Sequence, residues 1–168
     1  VKANSFFGRH LTIADDYLFI SDFRSGFGQV TNSGLVFLYM KGNDGLFEYQ
    51  HRIESQSPHE DKYFGSSIGV SANYLFIGCY GDAFDTNGAN ELDQAGSVEV
   101  FKIEEDGIDY FKKITSPERS EYGHFGQEIS VNSSNLAISD NIVYTKGTKL
   151  HYGKVHFYRY EAFQINRG

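Results

Sequence analysis

The dipeptide Phe-Gly occurs at Phe7-Gly8, Phe64-Gly65 and Phe125-Gly126, with a fourth at Phe27-Gly28 outside the pattern, and aligning the chain on the first three brings the downstream residues of three segments into register. Three residues after each glycine stand Leu11, Ile68 and Ile129, and two further on stand Ile13, Val70 and Val131. That alternation marks a first strand, A. Turn-forming pairs follow at Asp15-Asp16, Ala72-Asn73 and Ser133-Ser134. The apolar runs Leu18-Phe19-Ile20, Leu75-Phe76-Ile77 and Leu136-Ala137-Ile138 come next, and their continuity predicts a strand covered on both faces, B. Polar, Gly/Asn/Asp-rich stretches then lead to a strand C at Gly34-Leu-Val-Phe-Leu-Tyr39, Gly96-Ser-Val-Glu-Val-Phe101 and Gly153-Lys-Val-His-Phe-Tyr158. Gly42 to Gly45 and Glu105 to Gly107 make hairpins into a strand D over Phe47 to Ile53 and Ile108 to Ile114.

No segment carries the i, i+3, i+4, i+7 pattern of an amphipathic helix, so the chain reads as all-β. Three tandem four-stranded antiparallel repeats with a period of roughly 60 residues fit β-propeller blades better than a sandwich, which does not repeat itself. The repeats divide one segment, residues 1–168, into blade 1 at about 5–55, blade 2 at about 62–116 and blade 3 at about 123–168, the last strand being weak or truncated.

Phe-Gly, the alternating positions, the buried run and a loop ending in Gly-x-Val-x-Val-Phe or its variants together resemble the FG-GAP repeats of integrin α-chain heads, in particular their degenerate bacterial and protist branch. The likeness covers nearly the whole chain. It implies an extracellular or cell-surface location and a non-enzymatic binding or adhesion role. Two family features differ here: the Gly-Ala-Pro position holds Ser21-Asp22-Phe23, Gly78-Cys79-Tyr80 and Ser139-Asp140-Asn141, and no loop has the Asp-x-Asp-x-Asp-Gly calcium pattern. The family's Ca²⁺ is therefore not carried over. The nearest substitute is the oxygen-rich run holding Asp82, Asp85, Asn87 and Asp93, suitable in residue type for Ca²⁺ but irregular in spacing; its plain alternative is a solvated acidic loop.

Several function classes are disfavoured. A net charge of −7 without a Lys/Arg cluster argues against nucleic acid. No apolar run is long enough for a membrane helix, which predicts no membrane insertion. The one cysteine, Cys79, cannot pair within the chain and reads as a small buried hydrophobe. Gly65-Ser66-Ser67-Ile68-Gly69 matches the nucleophile elbow of α/β-hydrolases, but that motif needs a strand-to-helix turn and here lies in strand A, so no catalytic residue is assigned. The six histidines form no metal-ligand spacing, although His59 and His124 both stand just ahead of a Phe-Gly pair. Asn132-Ser133-Ser134 is a glycosylation sequon at a turn.

The turns from A to B and from C to D are tight, whereas the B-to-C and D-to-A connections are long and must leave an antiparallel blade at the same end. Long loops on a rigid scaffold carry binding function. The expected ligand face is Tyr80, Asp82, Asp85, Asn87 and Asp93, with Phe23, Arg24, Tyr144 and Lys146 from neighbouring blades, suited to a protein or carbohydrate ligand. Two alternatives stay open: a propeller domain of a secreted enzyme such as a hydrolase, and a propeller lectin. Propellers close with about 4 to 8 blades. Three blades therefore predict a part of a larger propeller, or one completed by self-association or by further blades of the same protein.

Overall fold

The computed structural model describes residues 6–26, 28–71, 73–105, 107–141, 153–161 and 164–167. Among these the secondary structure is strand throughout, in three four-stranded antiparallel sheets. Sheet 1 holds β1 (Leu11–Ala14), β2 (Tyr17–Asp22), β3 (Leu35–Lys41) and β4 (Phe47–Ile53); sheet 2 holds β5 (Phe64–Ser71), β6 (Tyr74–Cys79), β7 (Ser97–Glu104) and β8 (Gly107–Thr115). Sheet 3 holds β9 (Ile129–Val131), β10 (Asn135–Asp140), β11 (Lys154–Glu161) and β12 (Gln164–Arg167), so the short fourth strand expected of the third repeat does pair with its neighbour. In every sheet the strands lie in chain order. No described helix is long and apolar enough to cross a membrane.

The repeat extends to irregularities. The β3–β4 ladder shifts register between Leu38 and Tyr39, and the β7–β8 ladder shifts between Val100 and Phe101, which are matching positions. A bulge adds local twist, so both outer hairpins turn at the same place.

Two apolar cores lie between the sheets. The first joins Phe19, Val36, Leu38 and Ile53 of sheet 1 to Phe64, Leu75, Ile77 and Cys79 of sheet 2. The second joins Phe76, Val98, Val100 and Ile114 of sheet 2 to Phe125, Leu136 and Ile138 of sheet 3. Strand β6 therefore sends Leu75 and Ile77 one way and Phe76 the other, and all six of its residues are buried. A continuous apolar run is what that position demands. Each Val, Leu, Ile or Phe so buried contributes about 1.5 to 3 kcal/mol. The matching residues of β2, Leu18 and Ile20, are only half-buried, because among the described residues no sheet lies over that side of sheet 1.

A backbone seam fastens each core. The amides of Asp61, Tyr63 and Phe64 donate to the carbonyls of Thr31, Asn32 and Ser33 at 3.1, 2.9 and 3.0 Å. The amides of Tyr122, His124 and Phe125 donate to those of Asp93, Gln94 and Ala95 at 2.8, 3.0 and 3.0 Å. Just beyond these carbonyls stand Gly34 and Gly96, with φ of +86° and +85°. A Cβ on Gly34 would sit 2.0 Å from the Phe64 carbonyl oxygen, and one on Gly96 would sit 2.3 Å from the Phe125 nitrogen and oxygen. The Phe-Gly pair of one repeat thus meets the strand-C glycine of the repeat before it, and only glycine fits the contact.

Candidate functional site

Because the strands are antiparallel and in chain order, β2 and β6 finish at the end of the sheets where the long connections emerge. The residues just after these strands, Phe23 and Tyr80, come together there with those just ahead of the three aligned Phe-Gly pairs, Phe6, Tyr63 and His124. They form one row of rings across all three repeats. Phe6 lies 5.5 Å from Phe23, Phe23 lies 6.0 Å from Tyr63, and Tyr80 lies 5.4 Å from His124, each between ring centroids. Tyr63 and Tyr80 are stacked, with centroids 4.7 Å apart and planes inclined by 19°. The Arg24 guanidinium lies 4.7 Å over the Phe6 ring and within 6.0 Å of those of Phe23 and Tyr63.

The backbone sets this row. Tyr63 and His124 have φ of +57° and +48°, a left-handed conformation that is rare for bulky residues. Their amides are donors in the seams, so the hydrogen bonds that join the sheets hold the strain, and both residues are half-buried. Burial, then the hydrogen bond to Asp61, raises the Tyr63 phenol to about 12. Burial likewise raises the Tyr80 phenol, against the nearby Arg24, and lowers the His124 imidazole, which stays neutral at physiological pH. The row is therefore aromatic and uncharged, with one guanidinium above it. Such a surface suits stacking and cation–π contacts.

Phe23, Arg24 and Tyr80, predicted from the sequence to share a face, come together, with Arg24 exposed, Tyr80 half-buried and Phe23 buried beneath its neighbours. Asp82 does not lie on that open face. It is fully buried beneath the loop, and its carboxylate is occupied: Lys113 Nζ and Lys62 Nζ approach Oδ2 at 2.9 and 3.2 Å, and Ser97 donates to it at 2.6 Å. Oδ1 accepts from the Phe84 amide at 3.0 Å and lies 3.1 Å from His59 Nε2. Burial alone would raise this carboxyl. Hydrogen bonding to His59 and Ser97 and the charges of Lys62 and Lys113 outweigh it and hold the group far below the usual carboxylate range. Lys113 also donates to the carbonyls of Phe84 and Asp85 at 3.3 and 3.2 Å, which ties the loop down.

The ion cluster continues to a second carboxylate. Lys62 Nζ stands 2.7 Å from Glu99 Oε1 and 3.1 Å from both the Ser57 carbonyl and the Ser57 hydroxyl, and all three charged groups, Lys62, Asp82 and Glu99, are fully buried. Ser55 donates to Glu99 at 2.7 Å. Burial opposes the Lys62 ammonium, but the carboxylates of Glu99 and Asp82 outweigh it and raise its pKa. Cys79 is fully buried, and burial pushes its thiol well up, so it is inert. The next junction solves the same problem with the carboxylate on the other strand. There Ser116 donates to Asp140 at 2.7 Å and His156 Nε2 lies 3.0 Å from Asp140 Oδ2, Asp140 matching Cys79 and His156 matching Glu99.

The remaining predicted residues separate from the row. Asp85 closes on its own loop, accepting from the amides of Asn87 and Ala89 at 2.8 and 3.0 Å and from the Asn90 side chain. These bonds, with that from Ala89 foremost, lower its carboxyl pKa. Asp93 is exposed, and its carbonyl serves the second seam. With Asp82 beneath the loop and Asp85 turned into it, Asp82, Asp85, Asn87 and Asp93 do not assemble as a Ca²⁺ cage. Among the described residues no group of three or more His, Cys, Asp or Glu side chains is placed to hold a metal. Tyr144 and Lys146 lie outside the described residues. Ser66 and Ser67, within the hydrolase-like motif, are buried; Ser66 accepts from the Tyr80 amide at 3.3 Å and Ser67 donates to the Gly126 carbonyl at 2.7 Å.

Sequence reasoning missed Phe6 and Tyr63 as members of the row, although the residue ahead of each of the three aligned Phe-Gly pairs is aromatic or histidine. It also missed Lys62. Set against known proteins, the chain matches no protein-family model and no curated protein.

Proposed function

We propose that the three sheets are consecutive β-propeller blades of the FG-GAP kind and that the chain is a non-enzymatic binding module of the cell surface or extracellular space. Its ligand is a protein or carbohydrate that lies on the ring row. The observation that carries this reading is the row itself: Phe6, Phe23, Tyr63, Tyr80 and His124 join three repeats at the loop-bearing end, under the Arg24 guanidinium. Rigid aromatic rings with a flanking Arg are the side chains that dominate binding energy at interfaces. The buried ion cluster supports the reading from below, since it fixes the loop through internal partners.

Titration of the isotopically labelled chain with panels of saccharides and extended peptides tests it, read by the NMR resonances of Tyr63, Tyr80 and His124. A true ligand moves these resonances, and Tyr80→Ala weakens it at least about 30-fold, or ~2 kcal/mol. Binders that leave the three residues unmoved and are indifferent to Tyr80→Ala would reject the site.

A further inference from the structure

Each internal seam has two unlike halves. One is the trailing face of a sheet, with its strand-C glycine and the pair Val36 and Leu38 or Val98 and Val100; the other is the leading face of the next sheet, with its Phe-Gly pair and the residues Ile68 and Val70 or Ile129 and Val131. Both trailing pairs are buried and both Phe rings, Phe64 and Phe125, are wholly buried. The same two halves occur once more, uncovered. On sheet 1, Phe7, Leu11 and Ile13 are 46, 62 and 66% exposed, and on sheet 3, Val155 and Phe157 are 55 and 63% exposed.

The backbone at these positions is also set for a neighbour. Gly8 holds φ of +86°, matching Gly65 at +93° and Gly126 at +85°, yet a Cβ on Gly8 meets nothing within 4 Å. Gly153, the counterpart of Gly34 and Gly96, likewise meets nothing within 4 Å. The described residues thus present the apolar side chains and glycine of a leading half at sheet 1 and those of the complementary trailing half at sheet 3.

We propose that a second copy of this chain seats its sheet 1 on the sheet 3 of the first, and the reverse, in a head-to-tail pair that repeats the internal seam. The two seams already described set what the occupant carries, and a second copy carries it: a trailing face takes a leading face, because the glycine on one side receives the Phe-Gly backbone on the other. Like faces cannot pair in this way. Two copies cover all four uncovered halves in one closed assembly, whereas a heterologous contact that fails to close leaves a face open at each end.

The test is the mass of the chain in solution by light scattering across concentration. The wild-type chain is expected at the mass of two chains. Leu11→Asp and Phe157→Asp change side chains that are exposed in the single chain, so each variant is expected to keep its β-sheet circular dichroism and to fall to the mass of one chain. Mixing the two variants restores the two-chain mass, because one unaltered leading half then meets one unaltered trailing half. A wild-type chain that stays at one-chain mass up to its solubility limit overturns the proposal, as does a mixture that stays at one-chain mass. A two-chain mass unchanged by either substitution would assign the pairing to another surface and also overturn it.

Discussion

Lys62 and Glu99 meet in the interior with their charged atoms 2.7 Å apart and neither side chain exposed, one from the connection ahead of β5 and the other from β7. Removing one member of a buried pair leaves an uncompensated charge, at a cost of about 3 to 5 kcal/mol. Lys62→Met is expected to lower unfolding stability by that amount. Adding Glu99→Leu should recover part of the loss, since Asp82 keeps Lys113 and Ser97. Urea unfolding midpoints of the single and double variants check both statements.

The Tyr63–Tyr80 stack has a spectroscopic signature. Burial and the Asp61 hydrogen bond raise the Tyr63 phenol to about 12, so it should ionise after exposed tyrosines, whose ordinary value is about 10. Alkaline titration of tyrosinate absorbance is expected to show a late component, and Tyr63→Phe should reduce it by one tyrosine, leaving that of the other raised phenols, Tyr80 among them.

Gly96 and Gly107 separate backbone necessity from mere presence of glycine. At Gly96 a Cβ meets the Phe125 backbone at 2.3 Å with φ of +85°, so Gly96→Ala should destabilise by more than ~3 kcal/mol. At Gly107 a Cβ meets nothing within 4 Å, and Gly107→Ala should be neutral or stabilising by up to about 1 kcal/mol. Chemical denaturation of the two variants decides it.

Asp82 and His124 set opposite parts of the pH profile. The folded Asp82 pKa is depressed, so its contribution is present above the unfolded value of about 3.9 and is lost as the pH falls below it, where the unfolded chain binds the proton first. The folded His124 pKa is also depressed, chiefly by burial, so the unfolded chain gains a proton first below about 6.5 and stability declines from there. Stability measured from pH 7 downward should fall in two stages. Asp82→Asn should flatten the lower stage and His124→Gln the upper, with pH-dependent denaturation as the measurement.

The strands were legible because their chemistry is periodic. Leu75-Phe76-Ile77 reads as doubly covered in the sequence and is so in the structure, and the recurrence of Phe-Gly locates the seams without locating what they touch. The ion cluster was not legible. Asp82 and Asp85 look alike in a polar loop, yet one is beneath it and the other is turned into it, a difference set by Lys62 and Lys113 arriving from segments distant in sequence. Glu99 holds a polar place in an alternating strand, and nothing in that pattern shows that Ser55 and the Gln56 amide, just past the end of sheet 1, cover it. Phe23, Arg24 and Tyr80 were reachable from loop length alone; Tyr63 required the left-handed turn that only the seam explains.

The seams are made by main-chain atoms: three carbonyls take three amides, and a glycine leaves room for them. Main-chain atoms are common to all residues, so the side chains of Thr31, Asn32, Asp61 and Tyr63 at one seam need not match those of Asp93, Gln94, Tyr122 and His124 at the other. Assembly and recognition are thereby uncoupled. The loop-bearing end can change its chemistry residue by residue while the spacing between repeats stays constant, and a family of surfaces with different specificities can be written on one frame.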